Sequence, residues 1–149
     1  MTQEEFAQIE HAISAALAAG DAAAMAEHYT EDAVLMPPFR PAIHGREAIR
    51  AHYAASLERI SIEFTSEVEE VHTDGDWGWA RASFTQTLRP KGASTSGATT
   101  RGKSLIILRR SEDGRWRYAR DIFNGDEPPK MAGGCLGALL SPFRKLFGG

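Results

Sequence analysis

The residue types that most often bind metals or form disulfides are few in this sequence. It contains five histidines and a single cysteine, Cys135. No two of the histidines have the spacing of zinc ligands, and one cysteine cannot make an internal disulfide. We therefore predict no metal and no cofactor.

One carboxylate, Asp121, lies within a predicted strand at residues 115–124. The alternating residues of this strand carry aromatic side chains on both faces, so both faces are expected to be buried. A carboxylate that acts as a base at neutral pH needs a pKa raised by burial. The alternative is a structural ion pair with Arg81, Arg101 or Arg120, which would lower that pKa instead.

The N-terminal half of the chain is predicted to form three helices. Thr2 and Glu5 have the spacing of a capping box, and Gly20 ends the helix that follows. Asp21 can cap a second, short helix, and a third helix follows Gly45. The residues at helical spacing that mark the inward faces are Phe6, Ile9, Ile13, Ala16, Leu17, Met25, Tyr29, Ile49, Tyr53 and Leu57.

The second half of the chain is predicted to form four long strands, after one short strand at residues 33–36. From Ile60 the apolar pattern changes to a period of two, which is typical of strands. Turn residues at 73–76, 89–97 and 111–114 join the strands into an antiparallel meander. The predicted class is therefore α+β, with a sheet curled around helices.

Length and composition suit one compact domain. The chain has 149 residues, of which 42% are hydrophobic, enough for a single core. It has no apolar run long enough to span a bilayer and no signal-peptide pattern at its N-terminus. Because a lone cysteine also fits a reducing compartment, we expect a cytoplasmic location.

The formal charge of −3 is unevenly distributed. All 20 acidic residues precede Pro128, against 14 of the 17 basic residues, so the body carries −6 and residues 128–149 carry +3. An acidic body without a basic stripe argues against nucleic acid as a partner.

The C-terminal tail, residues 128–149, differs in composition from the rest of the chain. Its apolar residues at helical spacing are Leu136, Leu139, Leu140, Phe143, Leu146 and Phe147. One role for the tail is peripheral membrane contact, with Arg144 and Lys145 towards anionic head groups and Cys135 acylated. The alternatives are a lid on the domain, a contact with a partner subunit, or disorder.

Four segments of the sequence resemble the nuclear transport factor 2-like superfamily: residues 18–21, 29–36, 45–57 and 114–124. Within that superfamily the chain resembles SnoaL-like and ketosteroid isomerase-like proteins over residues 2–125. The resemblance implies a cone-shaped, curved antiparallel sheet wrapped around three N-terminal helices, a fold also called cystatin-like. It also implies an apolar pocket at the wide end, a pocket domain at residues 1–127, and a homodimer formed through the outer sheet face.

The same resemblance implies which residues line the pocket. The sets expected to face inward are Trp79, Arg81, Ser83 and Thr85; Arg101, Lys103, Leu105 and Ile107; and Arg117, Ala119, Asp121 and Phe123. Tyr53 is similar to the pocket tyrosine of the isomerases. The ligand-binding residues that follow are Tyr53, Trp79, Arg81, Lys103 and Phe123.

Asp121 is the counterpart of the aspartate on which cyclases of the SnoaL type rely, so it is the catalytic candidate. Arg81 is similar to a pocket arginine in the association domain of calcium/calmodulin-dependent kinase; it is expected either to hold an anionic ligand or to pair with Asp121. The isomerase residues do not match, because their carboxylate position is Pro37 and their tyrosine position is Ile13. Steroid isomerisation by the usual mechanism is therefore not expected.

Two functional hypotheses follow. In the first, the chain is a pocket protein for a small hydrophobic or anionic ligand, and it acts as a cyclase-like or isomerase-like enzyme on a hydrophobic carbonyl or carboxylate compound. In the second, it is a non-catalytic dimerisation or ligand-sensing module. The dimer is expected to use Trp116, Tyr118 and Ile122, because they share one strand face opposite the pocket and so much aromatic area is rarely left exposed.

Overall fold

The computed structural model describes residues 1–92 and 97–127, so the predicted tail lies outside the described residues. The helices are α1 Gln3–Ala19, α2 Ala22–Ala26 and α3 Arg46–Leu57. The strands are β1 Tyr29–Met36, β2 Ile43–His44, β3 Ile60–Asp74, β4 Trp77–Pro90, β5 Ala98–Arg110 and β6 Trp116–Gly125. None of the helices within these described ranges is long and apolar enough to cross a bilayer.

The predicted start and end of α1 and the predicted start of α2 are confirmed, whereas Tyr29, expected on the second helix, begins β1. Thr2 and Glu5 form a complete capping box at the start of α1. Gly20 ends α1 in the left-handed conformation with a φ of 71°, which glycine adopts without steric cost. The side chain of Asp21 accepts a hydrogen bond from the backbone of Ala24 and so caps α2.

The strands form one six-stranded sheet in the order β2-β1-β6-β5-β4-β3. The long strands β3 to β6 pair in antiparallel fashion as a meander, as predicted. The short predicted strand at 33–36 begins earlier, at Tyr29, and pairs in parallel with β6. The β2 strand falls in a segment that was expected to be a loop. The α+β class and the curved sheet with N-terminal helices are confirmed.

One face of the sheet, the inner face, packs against the helices and forms the core. On β4 this face carries the small residues Gly78, Ala80 and Ala82. The core residues are Phe6, Ile13, Ala16, Leu17, Met25, Tyr29, Ala33, Leu35, Ile49, Leu57, Ile62, Ala80, Ala82, Ile106, Leu108 and Tyr118. The core residues on β4 and β5 are Ala80, Ala82, Ile106 and Leu108. They alternate along each strand with the residues that were expected to face inward.

The predicted inward sets on β4 and β5 are therefore wrong by one residue. The apolar run from Leu105 to Leu108 satisfies either phase of a period-two pattern, so the pattern alone cannot choose a face. In the structure Ile106 and Leu108 are buried, whereas Leu105 and Ile107 are exposed. On β4 the observed phase keeps Arg81 out of the core, where its charge would be costly.

A β-bulge changes the phase within β6. Leu108 pairs with Tyr118, but its neighbour Ile107 pairs with Arg120, so Ala119 is the extra residue. Asp121 lies after the bulge and faces inward, as predicted, because it pairs with the core residue Ile106. For the residues before the bulge, the predicted assignment of side chains to the inner and outer faces is wrong.

The residues before the bulge have exchanged faces relative to the prediction. Tyr118 belongs to the core and Trp116 packs against it, so neither lies on the outer face. Arg117 is instead held by the carboxylate of Asp113, at 2.8 and 2.7 Å, and by the carbonyl of Glu27 at 3.1 Å.

Candidate functional site

The centre of the candidate site is Asp121, which is only 6% exposed. Its Oδ2 accepts a hydrogen bond of 2.6 Å from the hydroxyl of Tyr29. Burial raises the pKa of Asp121 to about 6, against a smaller lowering by the Tyr29 hydroxyl. A buried carboxylate with such a pKa is partly protonated near pH 6 and is available as a base at neutral pH.

No arginine in the described part of the chain forms an ion pair with Asp121. Arg120 donates instead to the carbonyls of Asp32 and Ala119. Arg101 is exposed. Among the described residues, the structural ion pair expected as the alternative role of Asp121 is therefore not formed, and no cation there lowers the pKa of Asp121.

Two tyrosines flank the carboxylate. Tyr29 is 1% exposed, and burial followed by the charge of Asp121 raises its pKa well above the usual value. Tyr53 is partly exposed, and the same two causes raise its pKa. Tyr53 lies one helical turn from each of the buried residues Ile49 and Leu57, which fixes the inward face of α3. Both hydroxyls thus stay protonated and can donate hydrogen bonds.

The inner face also carries three phenylalanines on neighbouring parts of the sheet. Phe123 follows Asp121 by two residues and so faces the same side. The ring of Phe84 lies 6.1 Å from that of Phe123, and the ring of Phe64 lies 5.9 Å from that of Phe84. Gly102 makes room for this row, because a Cβ there would come within 2.4 Å of the Phe84 ring. The row forms an aromatic wall beside the carboxylate.

A second buried acid was not foreseen from the sequence. Glu10 is 6% exposed and accepts a hydrogen bond from the hydroxyl of Tyr118. Burial raises the pKa of Glu10 to about 7; a hydrogen bond with Ser66 lowers it and the charge of Asp121 raises it further. The sequence did contain a signal, because Glu10 lies four residues after Phe6 and three before Ile13, at the spacing of core positions.

Three of the expected ligand-binding residues lie on the opposite, outer face of the sheet. Trp79 stacks on His72 with 4.5 Å between ring centroids. Arg81 pairs with Glu69 and, at 3.4 Å, with Glu70.

The third of these residues, Lys103, binds Asp126 at 2.6 Å. The expectation that Trp79, Arg81 and Lys103 face the interior with Asp121 is therefore wrong. Of the expected set, Tyr53, Asp121 and Phe123 lie on the inner side of the sheet.

The outer face carries an apolar patch formed by Trp77, Leu105, Ile107 and Ile122, each 40–47% exposed. Trp77, Leu105 and Ile107 also line a shallow cavity of about 760 Å³, together with His72 and Trp79. Only Ile122 of the residues expected at a dimer surface belongs to this patch.

The inner-face arrangement has the parts needed for proton transfer at carbon. Asp121 supplies a base with a pKa of about 6, held by the hydroxyl of Tyr29, and the hydroxyl of Tyr53 is a donor that can stabilise a developing oxyanion. Within residues 1–92 and 97–127 no group of three or more histidine, cysteine, aspartate or glutamate side chains is arranged to hold a metal ion.

Comparison with known proteins gives one family match. Residues 9–119 match the family described as SnoaL-like domain. No curated protein matches the chain.

Solved structures share the fold. A ketosteroid isomerase-like protein from Erwinia carotovora atroseptica is 29% identical, with a TM-score of 0.71 over 81% of this chain and 93% of its own. ActVI-ORFA from Streptomyces coelicolor is 18% identical, with a TM-score of 0.70 over 83% and 96%. A scytalone dehydratase-like protein from Novosphingobium aromaticivorans is 11% identical, with a TM-score of 0.74 over 83% of each chain.

Proposed function

Because the chain belongs to the SnoaL-like domain family, we propose that it binds a hydrophobic carbonyl or carboxylate compound on its inner sheet face, with Asp121 as the base. Proteins with this fold often bind small molecules or carry out cyclase, isomerase or dehydratase chemistry. The observation that supports the proposal is a buried carboxylate whose hydrogen-bond donor is a tyrosine hydroxyl instead of a cation.

The proposed reaction begins with removal of a proton from the carbon next to the substrate carbonyl. The C–H bond breaks, the proton goes to the carboxylate of Asp121, and the electron pair moves to the carbonyl oxygen as an enolate. Tyr53 donates a hydrogen bond to that oxygen, because its side chain is only partly buried. If a carbon–carbon double bond is conjugated with the enolate, return of the proton from Asp121 to the far carbon of that system completes an isomerisation. If the enolate carbon instead attacks a second carbonyl, a carbon–carbon bond forms, the attacked oxygen becomes an alkoxide, and transfer of the proton from Asp121 to that oxygen completes a cyclisation.

The aromatic wall favours a hydrophobic substrate. Phe64 and Phe123 are partly exposed on the inner face, and Phe84 packs between them. A flat or aromatic compound can stack on such rings while its carbonyl reaches the carboxylate.

The experiment is to purify the full chain and identify co-purifying compounds by mass spectrometry. The test variant is Phe123→Leu, and the matched control is Trp79→Leu, which removes an aromatic ring from the opposite face. We expect the compound to be lost from Phe123→Leu and retained by Trp79→Leu. Loss from the Trp79 variant alone would mean that the ligand binds the outer face and would contradict the proposal.

A second candidate function is a non-catalytic homodimerisation module, favoured by the apolar patch of Trp77, Leu105, Ile107 and Ile122. A contiguous apolar surface of this kind is usually covered by a partner. A second copy of the chain can present the same patch to this outer face in a two-fold arrangement. This role does not require a ligand, so the absence of any co-purifying compound together with a stable dimer would favour it.

A further inference from the structure

Glu10 connects the interior of the protein with a separate opening on its surface. On one side its carboxylate accepts the hydroxyl of Tyr118 within the core. On the other side it lines a cavity of about 540 Å³ between α1 and β3. The other polar residues around that cavity include Gln3, Glu4, His11, Ser14, Thr65 and Glu67. Glu10 is thus a buried acid with a route to solvent.

The two buried carboxyl groups are linked through a pair of tyrosines. Tyr118 binds Glu10 and Tyr29 binds Asp121, and the two tyrosine rings meet edge to face with 5.4 Å between their centroids. The surrounding core is apolar, so little solvent screens one carboxylate from the other. Two like charges in such a setting oppose each other's ionisation.

We propose that Glu10 is a positioning residue that controls the ionisation of Asp121. Near neutral pH the two buried carboxyl groups carry about one negative charge between them. Glu10 exchanges its proton with solvent through the α1–β3 cavity. The base in the proposed function would then be active when Glu10 is protonated. Only the effect on catalysis rests on the proposed function. The sharing of one charge between Glu10 and Asp121 does not require a ligand or a reaction.

The two carboxyl groups are expected to titrate as a coupled pair. Burial raises the pKa of both acids, to about 6 for Asp121 and about 7 for Glu10, and the charge of Asp121 is one of the causes that raise the pKa of Glu10. Ionisation of Asp121 therefore holds the proton on Glu10. The titratable groups near the pair are Tyr29 from β1, Tyr53 from α3, Tyr118 from β6, and Glu4 and His11 from α1. Glu67 on β3 also borders the cavity, but it pairs with Ser83 and so belongs to the outer face of the sheet. The three tyrosines are hydroxyl donors, and the other three groups line the cavity beside Glu10.

The test is to follow the side-chain carboxyl carbons of the full-length protein by NMR from pH 4 to pH 9, without any ligand. In the unmodified protein we expect the Asp121 resonance to move mainly near pH 6, with a second, smaller inflection where Glu10 titrates. In Asp121→Asn we expect the Glu10 midpoint to shift downwards, because the opposing charge is gone. The matched control is Glu67→Gln, which removes an acid from the same cavity and should leave the Glu10 midpoint in place.

Single, independent inflections for both carboxyl groups in the unmodified protein, or an unchanged Glu10 midpoint in Asp121→Asn, would overturn the proposal. The first observation needs no variant, so poor folding of a mutant does not prevent a decision. The titration is also independent of the proposed reaction: a protein that binds no carbonyl compound can still show the coupled pair. If the reaction is found as well, Tyr118→Phe should shift its pH profile more than its maximal rate.

Discussion

The hydroxyl of Tyr29 lies 2.6 Å from Oδ2 of Asp121, and this contact takes the place of the arginine pair that the neighbouring residues suggested. A hydroxyl donor leaves the buried carboxylate with a raised pKa, whereas a guanidinium would have lowered it. Asp121 thus differs from the surface aspartates of the same protein: its partner is a hydroxyl, whereas Asp113, for example, binds the guanidinium of Arg117.

Replacing Asp121 with asparagine should not destabilise the protein at pH 8. Asparagine keeps an acceptor for Tyr29 and removes a charge whose burial raises the pKa from 3.8 to about 6, which corresponds to about 3 kcal/mol against the folded state. Loss of the charged hydrogen bond offsets part of this gain. We expect the free energy of unfolding in urea to be equal to or above that of the unmodified protein.

The control for this prediction is Asp113→Asn. The carboxylate of Asp113 holds Arg117 through two hydrogen bonds, and the pKa of Asp113 lies well below its usual value for that reason. Its replacement should lower stability at the same pH. A lower stability for Asp121→Asn as well would mean that Asp121 has a structural role like that of Asp113.

The pH dependence of stability should reflect both buried acids. Because Asp121 and Glu10 keep their protons to about pH 6 and about pH 7 in the folded state, against 3.8 and 4.5 when unfolded, the folded state binds more protons between these values. Their contribution to the free energy of unfolding is fully present below about pH 4 and is lost as the pH rises to about 7.

The measurement compares urea unfolding of the unmodified protein with that of the Asp121→Asn/Glu10→Gln double variant at a series of pH values. His28 and His52 have lowered pKa values because of burial and act in the opposite direction, but they are present in both proteins. The stability difference should move in favour of the double variant as the pH rises. A constant difference from pH 4 to pH 8 would contradict the assigned pKa shifts.

Gly102→Ala should disturb the aromatic wall. A Cβ at this position would lie 2.3 Å from the carbonyl oxygen of Asn124 and 2.4 Å from the ring of Phe84, so the strand or the ring has to move. We expect a loss of about 1–3 kcal/mol in unfolding free energy. Gly75→Ala is the control, because no atom lies within 4 Å of a Cβ added at Gly75. The loss of stability in this variant comes only from the positive φ of 58°. Only Gly102→Ala should also weaken retention of a co-purifying compound.

Ile107→Glu should dissociate a homodimer formed through the outer apolar patch. Ile107 is 40% exposed, and a buried unpaired carboxylate at an interface is strongly unfavourable. Native mass spectrometry should show a dimer for the unmodified protein and a folded 16.3 kDa monomer for the variant. Thr99→Glu, an exposed position on the same strand and face, should stay dimeric. An unmodified protein that is monomeric at micromolar concentration would remove the dimer proposal.

The fold could be predicted from the sequence because its signals are local. The capping box at Thr2, the glycine at position 20 and the turn residues between strands each specify a boundary through their own backbone chemistry. The faces of the strands could not be predicted in the same way. In β5 the residues of both phases are apolar, so only contact with the helices selects Ile106 and Leu108 for the core.

The residues of the candidate site were predicted only in part, because the face of each β6 side chain depends on the bulge. Asp121 and Phe123 follow the bulge at Ala119, and both face inward as expected. Arg117 precedes the bulge, and its expected inward orientation is wrong. A bulge is set by tertiary packing and leaves no clear mark in the sequence. The partnership of Tyr29 with Asp121 joins residues 92 positions apart, and no local pattern predicts it.

The most direct test of the central claim is deuterium exchange at carbon. Aromatic and aliphatic ketones are first screened for binding to the full chain, and a compound that binds is incubated in D₂O with the unmodified protein, with Asp121→Asn and with Trp79→Leu. We predict deuterium incorporation next to the carbonyl for the unmodified protein and for Trp79→Leu, and a loss of about 100-fold or more for Asp121→Asn. Equal incorporation with and without the Asp121 carboxylate, for a compound that both proteins bind, would contradict its assignment as the base.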